Sequence, residues 1–369
     1  MTLENTRIQM SDYNRRDFLK ASVAGTIGFT LFHPGSIIPS VMNQESTSSR
    51  VSITTGENRA DMVFRALQPF AKKIKMVIGN RRVVLKPNNV LINVPLACTH
   101  ADTLEGILEF LKSINKLKDV IIAESSASAS TLEGFDNYGY HRLLSKYPVK
   151  LVDLDNEPYQ NMYVIDEKDL KPHLIRVSGV IADPDSYIVS VARMKTHNSV
   201  GATLSLKNIV LGAPIKDPGF TLFNEDKRFS PLAKESKAGT VSHKRRLHGS
   251  GFHAINYNIA MLAQKLHPDL AVIDGYEGME GNGPTLGTPI DHRVCVASQD
   301  WLAADRVGIE LMGMDFSKIG YLNYCYQMAL GEADMNKIEI IGETLEEHIR
   351  TYKLPDNFER QLVWMNPVL

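Results

Sequence analysis

The sequence predicts an α/β fold: a mostly parallel sheet with helices on both faces, built as a single large domain or two closely packed lobes. Short β-type apolar runs alternate with amphipathic helical stretches along most of the chain. Of 369 residues, about 320 remain once an N-terminal segment is set aside, enough for one large core. Polar clusters recur just after predicted strands, the pattern expected where loops at one end of a parallel sheet gather around a ligand.

Taken in order, Asn14-Arg15-Arg16-Asp17-Phe18-Leu19-Lys20 leads into the mildly apolar run Ala21 to Phe32. The paired arginines Arg15 and Arg16, the Phe-Leu-Lys and the short apolar run resemble a twin-arginine export signal over residues 1–32. That implies the twin-arginine export machinery as a partner, and a periplasmic or outer-face location. The run is too short and glycine-rich to span a bilayer, which takes roughly 20 apolar residues. No clean Ala-x-Ala follows it, so both cleavage and an uncleaved anchor stay open, and the membrane enters only through this segment. Residues 33–50, rich in Pro, Ser, Asn and Gln, read as a linker to an α/β domain over 51–369.

Strands are predicted at Arg81–Leu85, Val120–Ala123, Val149–Leu154, Tyr187–Val191, Leu270–Ile273 and Arg293–Ala297. Helices are predicted at Thr103–Ile114, where Leu104, Ile107, Leu108 and Leu111 make one stripe, and near Tyr140–Lys146, Ala254–Leu266, Trp301–Met312 and Asn323–Leu330. Residues 217–250 are polar and basic with few apolar anchors, and read as an insertion or lid.

Composition removes several function classes. A net charge of -1 gives no electrostatic footprint for nucleic acid. The three cysteines, Cys98, Cys295 and Cys325, form no CxxC pair, so no iron-sulfur cluster or zinc ribbon is encoded. An oxidising compartment would allow one disulfide among them. No Gly-x-Ser-x-Gly elbow, P-loop or GxGxxG fingerprint occurs, which leaves serine hydrolase, nucleotide kinase and Rossmann dehydrogenase readings without support.

The chemistry-bearing residues follow strands. Lys195 and His197, two apart and read as lying on a turn, offer a cation and a group titrating near neutrality, suited to gripping a carboxylate or phosphate and moving a proton. Lys207 and Asn208 close a segment readable as a helix whose N-terminal amides, opened by Gly201, face an anion; an ordinary Lys-Asn helix end fits equally. Lys86 and Asn88 flank Pro87 at a rigid strand exit, and Glu124 and Ser125 follow the next strand. His100 sits in a loop entering a helix, where a surface role fits as well as a ligand contact. Asp274, Glu277 and Glu280 lie among glycines, suited to a divalent cation or to a second acid-base group, against the alternative of a solvated turn. Asp300 fits an N-cap for the helix at Trp301, and Asp305 is placed on that helix's first turns. The run His243–His248, followed by His253, reads as a lid or as a solvated basic loop.

Seven segments occur in order: Lys86-Pro87-Asn88, Thr99-His100, Met194-Lys195-Thr196-His197, Leu206-Lys207-Asn208, Asp274-Gly275, Gly281-Asn282-Gly283-Pro284 and Asp300 through Asp305. As a set they resemble the domain of unknown function 362 family over roughly residues 80–315. The resemblance implies no reaction. Some relatives carry ferredoxin-like cysteine clusters, which this chain lacks, so a redox accessory role is disfavoured. The expected function is an exported enzyme acting on a small anionic molecule by acid-base chemistry of the proton-transfer or isomerase type, with a divalent cation as candidate cofactor. His197, Lys195, Lys207 and Asp274 are its expected catalytic groups. Lys86, Asn88, His100, Glu124, Ser125, Asn208 and His253 are its expected binding groups. The alternative is a non-catalytic periplasmic protein that binds a ligand or a metal centre.

Overall fold

A computed structural model describes residues 48–127, 130–221 and 237–366. Arg15, Arg16, the expected signal segment and nearly all of the expected linker lie outside them, as does the middle of the 217–250 insertion. The elements in chain order are β1 (Ser49–Thr55), α1 (Arg59–Leu67), α2 (Ala71–Ile78), β2 (Arg82–Lys86), α3 (Ala101–Ser113), β3 (Val120–Glu124), α4 (Thr131–Asn137), α5 (His141–Leu144), β4 (Val149–Asp153), β5 (Tyr159–Ile165) and β6 (Pro172–Ser178). There follow β7 (Ser186–His197), β8 (Gly201–Thr203), α6 (Ser205–Gly212), α7 (His243–Leu247), α8 (Phe252–Ala263), β9 (Leu270–Asn282), β10 (Leu286–Ser298), α9 (Trp301–Leu311), α10 (Gly320–Gln327), β11 (Ile338–Gly342) and α11 (Phe358–Gln361).

Nine strands form one sheet in the order β11-β1-β10-β9-β7-β2-β3-β4, with β8 added on β7. Neighbours run parallel except at β10, antiparallel to β1 and β9, and at β8, antiparallel to β7. The fold is therefore α/β with a mixed, mostly parallel sheet, and strand periodicity shows why both faces are covered. On β2, Val84 joins one core while Val83 and Leu85 join the other. On β9, Ala271 and Ile273 face one way and Leu270 and Val272 the other. Helices α1, α2 and α3 cover one face; α6, α8, α9 and α10 cover the opposite face. Some helices begin at a side-chain cap. Asn58 caps α1 through its side chain, and Asp300 caps α9 by accepting from the amides of Leu302 and Ala303.

Several elements carry weak local signals and escape the pattern reading. They include β1, α1, α2, α4, the two-stranded β5–β6 hairpin and β8; residues 49 and 50 of the expected linker belong to β1. The predicted helix near Tyr140–Lys146 shrinks to the short α5. Two longer corrections matter for function. Strand β7 does not stop at Val191 but runs to His197, so Lys195 and His197 sit on a strand and not on a turn. Strand β9 runs through Asp274–Asn282, and β10 returns antiparallel beside it from Leu286. The Ser298-Gln299-Asp300 cluster therefore lies at the opposite end of the sheet from the ends of β2, β3 and β7. All three cysteines are buried and free, so the allowed disulfide does not form.

Candidate functional site

The strand order reverses at β2. β3 and β4 lie to one side of it, β7 and β9 to the other, and the chain crosses over between β4 and β7. Ligand crevices of open α/β sheets lie outside the carboxyl ends of strands at such a switch point. A cavity of about 460 Å³ lies there, lined among others by Lys86, Asn88, Asn89, Glu124, Ser125 and His197, and by Lys207 and Asn208. That volume suits a small metabolite.

Lys86, the last residue of β2, is fully buried. Its Nζ lies 2.7 Å from Glu124 Oε1 and donates to the Pro87 carbonyl at 2.7 Å and to Asn208 Oδ1 at 3.2 Å. Burial pulls its pKa down, and Glu124 pulls it partly back up. Glu124, at the end of β3, also accepts from the amides of Asn89 (2.9 Å) and Ser125 (2.8 Å). Asn208 on α6 returns its amide to the Lys86 carbonyl (3.0 Å) and to Ser190 Oγ (3.1 Å). β2, β3, β7 and α6 are thus joined by one polar network in which Lys86 and Glu124 neutralise each other.

Lys207 differs. It sits on α6, is 5% exposed, and has no hydrogen-bond or ion-pair partner among the described residues. Burial, reinforced by the positive charge of Lys195, pushes its pKa well below the usual lysine range. The first turn of α6 is not open to an anion, contrary to the sequence reading. Asp305 of α9 occupies it, accepting from the amides of Ser205 (2.7 Å) and Leu206 (3.0 Å). Asp305 therefore caps a neighbouring helix and does not face the crevice. The helix N-terminus is already neutralised, and Lys207 is left as the cation this helix presents to the pocket.

Two imidazoles complete the wall. His197 Nδ1 accepts from the Ser199 amide at 3.0 Å. Burial, then Lys207, His248 and Lys195, push its pKa well below 6.5, so the ring is neutral and carries its proton on Nε2. His248, just beyond α7, places Nδ1 2.9 Å from the Lys244 carbonyl. Burial lowers it to about 4, so it too is neutral, with Nδ1–H donating and a lone pair on Nε2. One ring offers the pocket a donor and the other an acceptor.

Lys244, on α7, donates to the Gly212 carbonyl at 2.6 Å, and burial brings its pKa to about 7. Arg245 lines the same cavity from an exposed position. Among the described charged residues that line the cavity, four are basic (Lys86, Lys207, Lys244, Arg245) and one, Glu124, is acidic. Four buried lining atoms have no partner among the described residues: Asn88 Oδ1, Asn89 Nδ2, Thr203 Oγ1 and Ser242 Oγ. Buried polar atoms are nearly always bonded, so this concentration marks a surface shaped for a polar ligand.

Of the residues singled out from sequence, Lys86, Asn88, Glu124, Ser125, His197, Lys207 and Asn208 come together at the cavity. Lys195 does not line it. Its Nζ is engaged elsewhere, donating to the Ala97 carbonyl at 2.5 Å. Burial lowers Lys195 to about 7. Asp274 points elsewhere, accepting from Thr103 Oγ1 (2.6 Å) and the Tyr276 amide (3.0 Å) and lying 3.3 Å from Arg59 Nε. Glu277 lies 3.3 Å from Arg193, and Glu280 accepts from the Lys353 amide at 2.8 Å. The expected acidic glycine loop is a strand with its carboxylates separately engaged. No group of three metal-ligating side chains occurs among the described residues. His100 caps α3, with Nδ1 accepting from the Asp102 amide, and its side chain is half exposed. His253 contacts Glu167 and the Asn366 carbonyl. Neither reaches the cavity.

The described C-terminal part of the 217–250 segment carries α7, which buries His243, Lys244 and Leu247; Lys216 and Ser242 pair in a bridge, and Ser242, Lys244 and His248 contribute to the cavity wall. Thr203 and Ser242 are among the lining residues that pattern reading does not single out, whereas Lys244 and His248 belong to the run His243–His248 read as a lid or a solvated loop.

Residues 83–310 match the family described as Domain of unknown function (DUF362). Over 295 residues the chain is 22% identical to a thylakoid-associated protein of Synechocystis sp., covering 79% of this chain and 81% of that one.

Proposed function

The chain belongs to the DUF362 family, and from that premise we propose that its cavity binds a small anionic molecule and catalyses a proton transfer on it. The observation that carries the reading is Lys207, a buried lysine without a partner among the described residues, in a cavity whose one described lining carboxylate is taken by Lys86. An unpaired buried cation is costly, and an anion that enters relieves that cost. Lys207, Lys244 and the Nε2–H of His197 would hold negative charge. His248, through its unprotonated Nε2, would accept a proton, and Lys207 would supply or receive one as its protonation changes with occupancy. The same signal-like N-terminus supports export by the twin-arginine route, with the domain acting in the periplasm or at the outer membrane face. No helix among the described residues is long and apolar enough to cross a membrane.

The test combines binding with isotope exchange. Thermal shift with oxalate, malonate and phosphate should show stabilisation in the wild type and its loss in Lys207→Gln. Deuterium incorporation at carbon, followed by NMR in heavy water over a panel of small hydroxy and oxo acids, should reveal turnover. His248→Gln should keep measurable binding and lose exchange. Binding without exchange on any panel member would favour the non-catalytic carrier, and absence of anion binding would remove both readings.

A further inference from the structure

We propose that Lys207 forms an imine with its ligand, so that the cavity takes small carbonyl compounds bearing a carboxylate, such as 2-oxo acids; this rests on the anion-binding reading above. Three observations support it together. Lys207 is 95% removed from solvent, lines the cavity and has no partner among the described residues. With the cavity empty, the same isolation favours the neutral amine, because a desolvated ammonium readily gives up its proton. Second, Lys195 and Lys207 lie near enough for one charge to oppose the other. Desolvation and a neighbouring cation are the two devices that turn a lysine into a nucleophilic amine. Third, His197 and His248, both close enough to sense the Lys207 charge, present opposite hydrogen-bonding characters.

The steps balance with these groups. The neutral Nζ adds to the carbonyl carbon, forming a C–N bond, and one N–H proton passes through His248 Nε2 to the former carbonyl oxygen. A second proton, drawn from solvent, leaves with that oxygen as water when the C–O bond breaks. The nitrogen lone pair closes the C=N bond, giving a protonated imine. His248 Nε2, having passed its proton on, then takes a proton from the adjacent carbon, and the positive nitrogen accepts the electron pair of that C–H bond, which is the proton transfer proposed above. The His197 Nε2–H and Lys244 are the groups placed to receive the carboxylate.

The experiment is borohydride trapping on the full chain. Wild-type protein is incubated separately with glyoxylate, pyruvate and 2-oxoglutarate, reduced with sodium borohydride, and mapped by peptide mass spectrometry. Hydride delivered to the imine carbon leaves a stable secondary amine. The expected result is a saturable, stoichiometric adduct on the peptide carrying Lys207 with at least one oxo acid. Oxalate should suppress it at least tenfold, and Lys207→Arg should lose it. The wild-type map decides even where the variant does not fold. Oxalate binding by thermal shift with Lys207 unmodified under all three oxo acids overturns the imine and leaves the anion site standing. No stabilisation by any anion together with adducts scattered over exposed lysines overturns both.

Discussion

Gly212 stands against Lys86: a Cβ at position 212 would lie 2.5 Å from both the Cε and the Nζ of that lysine. The glycine at the end of α6 is what lets the lysine reach Glu124. Gly212→Ala should force Lys86 aside and destabilise the fold by about 1–3 kcal/mol, the usual range for overpacking. The denaturation midpoint measures it, and an unchanged midpoint would show that Lys86 has another resting place.

The Lys86–Glu124 pair is buried on both sides. Lys86→Met or Glu124→Gln alone should cost about 3–5 kcal/mol, because each leaves an uncompensated polar group in the interior. The double variant should recover most of that loss. A double-mutant cycle by urea titration checks the coupling, and additive losses would contradict it.

Anion affinity should fall as pH rises above 7. Lys244 has its pKa brought to about 7 by burial, so alkaline solution removes one of the charges facing the ligand. Oxalate affinity measured by calorimetry from pH 6 to 9 should weaken across that span in the wild type and weaken less in Lys244→Met. A flat profile in the wild type would exclude Lys244 from the site.

Acidification should destabilise the fold between pH 6.5 and 4. Burial lowers both His248 and His292 to about 4. Unfolded imidazoles take up protons near pH 6.5 and these folded ones only near 4, so in that window the unfolded state binds more protons. Stability is intact above the window and declines as pH falls through it, by at most about 3 kcal/mol per group. Urea midpoints at pH 7 and 5 should differ in the wild type and differ less in His248→Asn.

Much of the fold was legible because the sheet is covered on both faces and its central strands read as continuous apolar runs. Val120–Ala123, Leu270–Ile273 and the stripe of Leu104, Ile107, Leu108 and Leu111 all locate real elements. Strand ends were not legible. Arg193, Lys195 and His197 are charged or titratable yet buried within β7, and polarity alone argues for a loop there. Gly283 hides a further cause, since a side chain there would come within 2.1 Å of the Thr196 carbonyl, a packing reason that looks like flexibility in one dimension. The direction of β10 was equally hidden, because a strand's apolar pattern is the same read either way. Lys86, His197 and Lys207 were found from their place at strand ends and in family-like motifs. The run His243–His248 read as a lid or a solvated loop, because basic residues usually belong to solvent, whereas here Lys244 on α7 and His248 just beyond it line the cavity.

Asp305 spends its carboxylate on the amides of Ser205 and Leu206, and that choice decides what kind of receptor this cavity is. A backbone cradle has permanent partial charge, indifferent to acidity and to occupancy. With that cradle already filled from inside the protein, recognition falls to amines and imidazoles, whose charge is negotiable. If the cavity binds an anion as proposed, its own electrical state would change as its contents change.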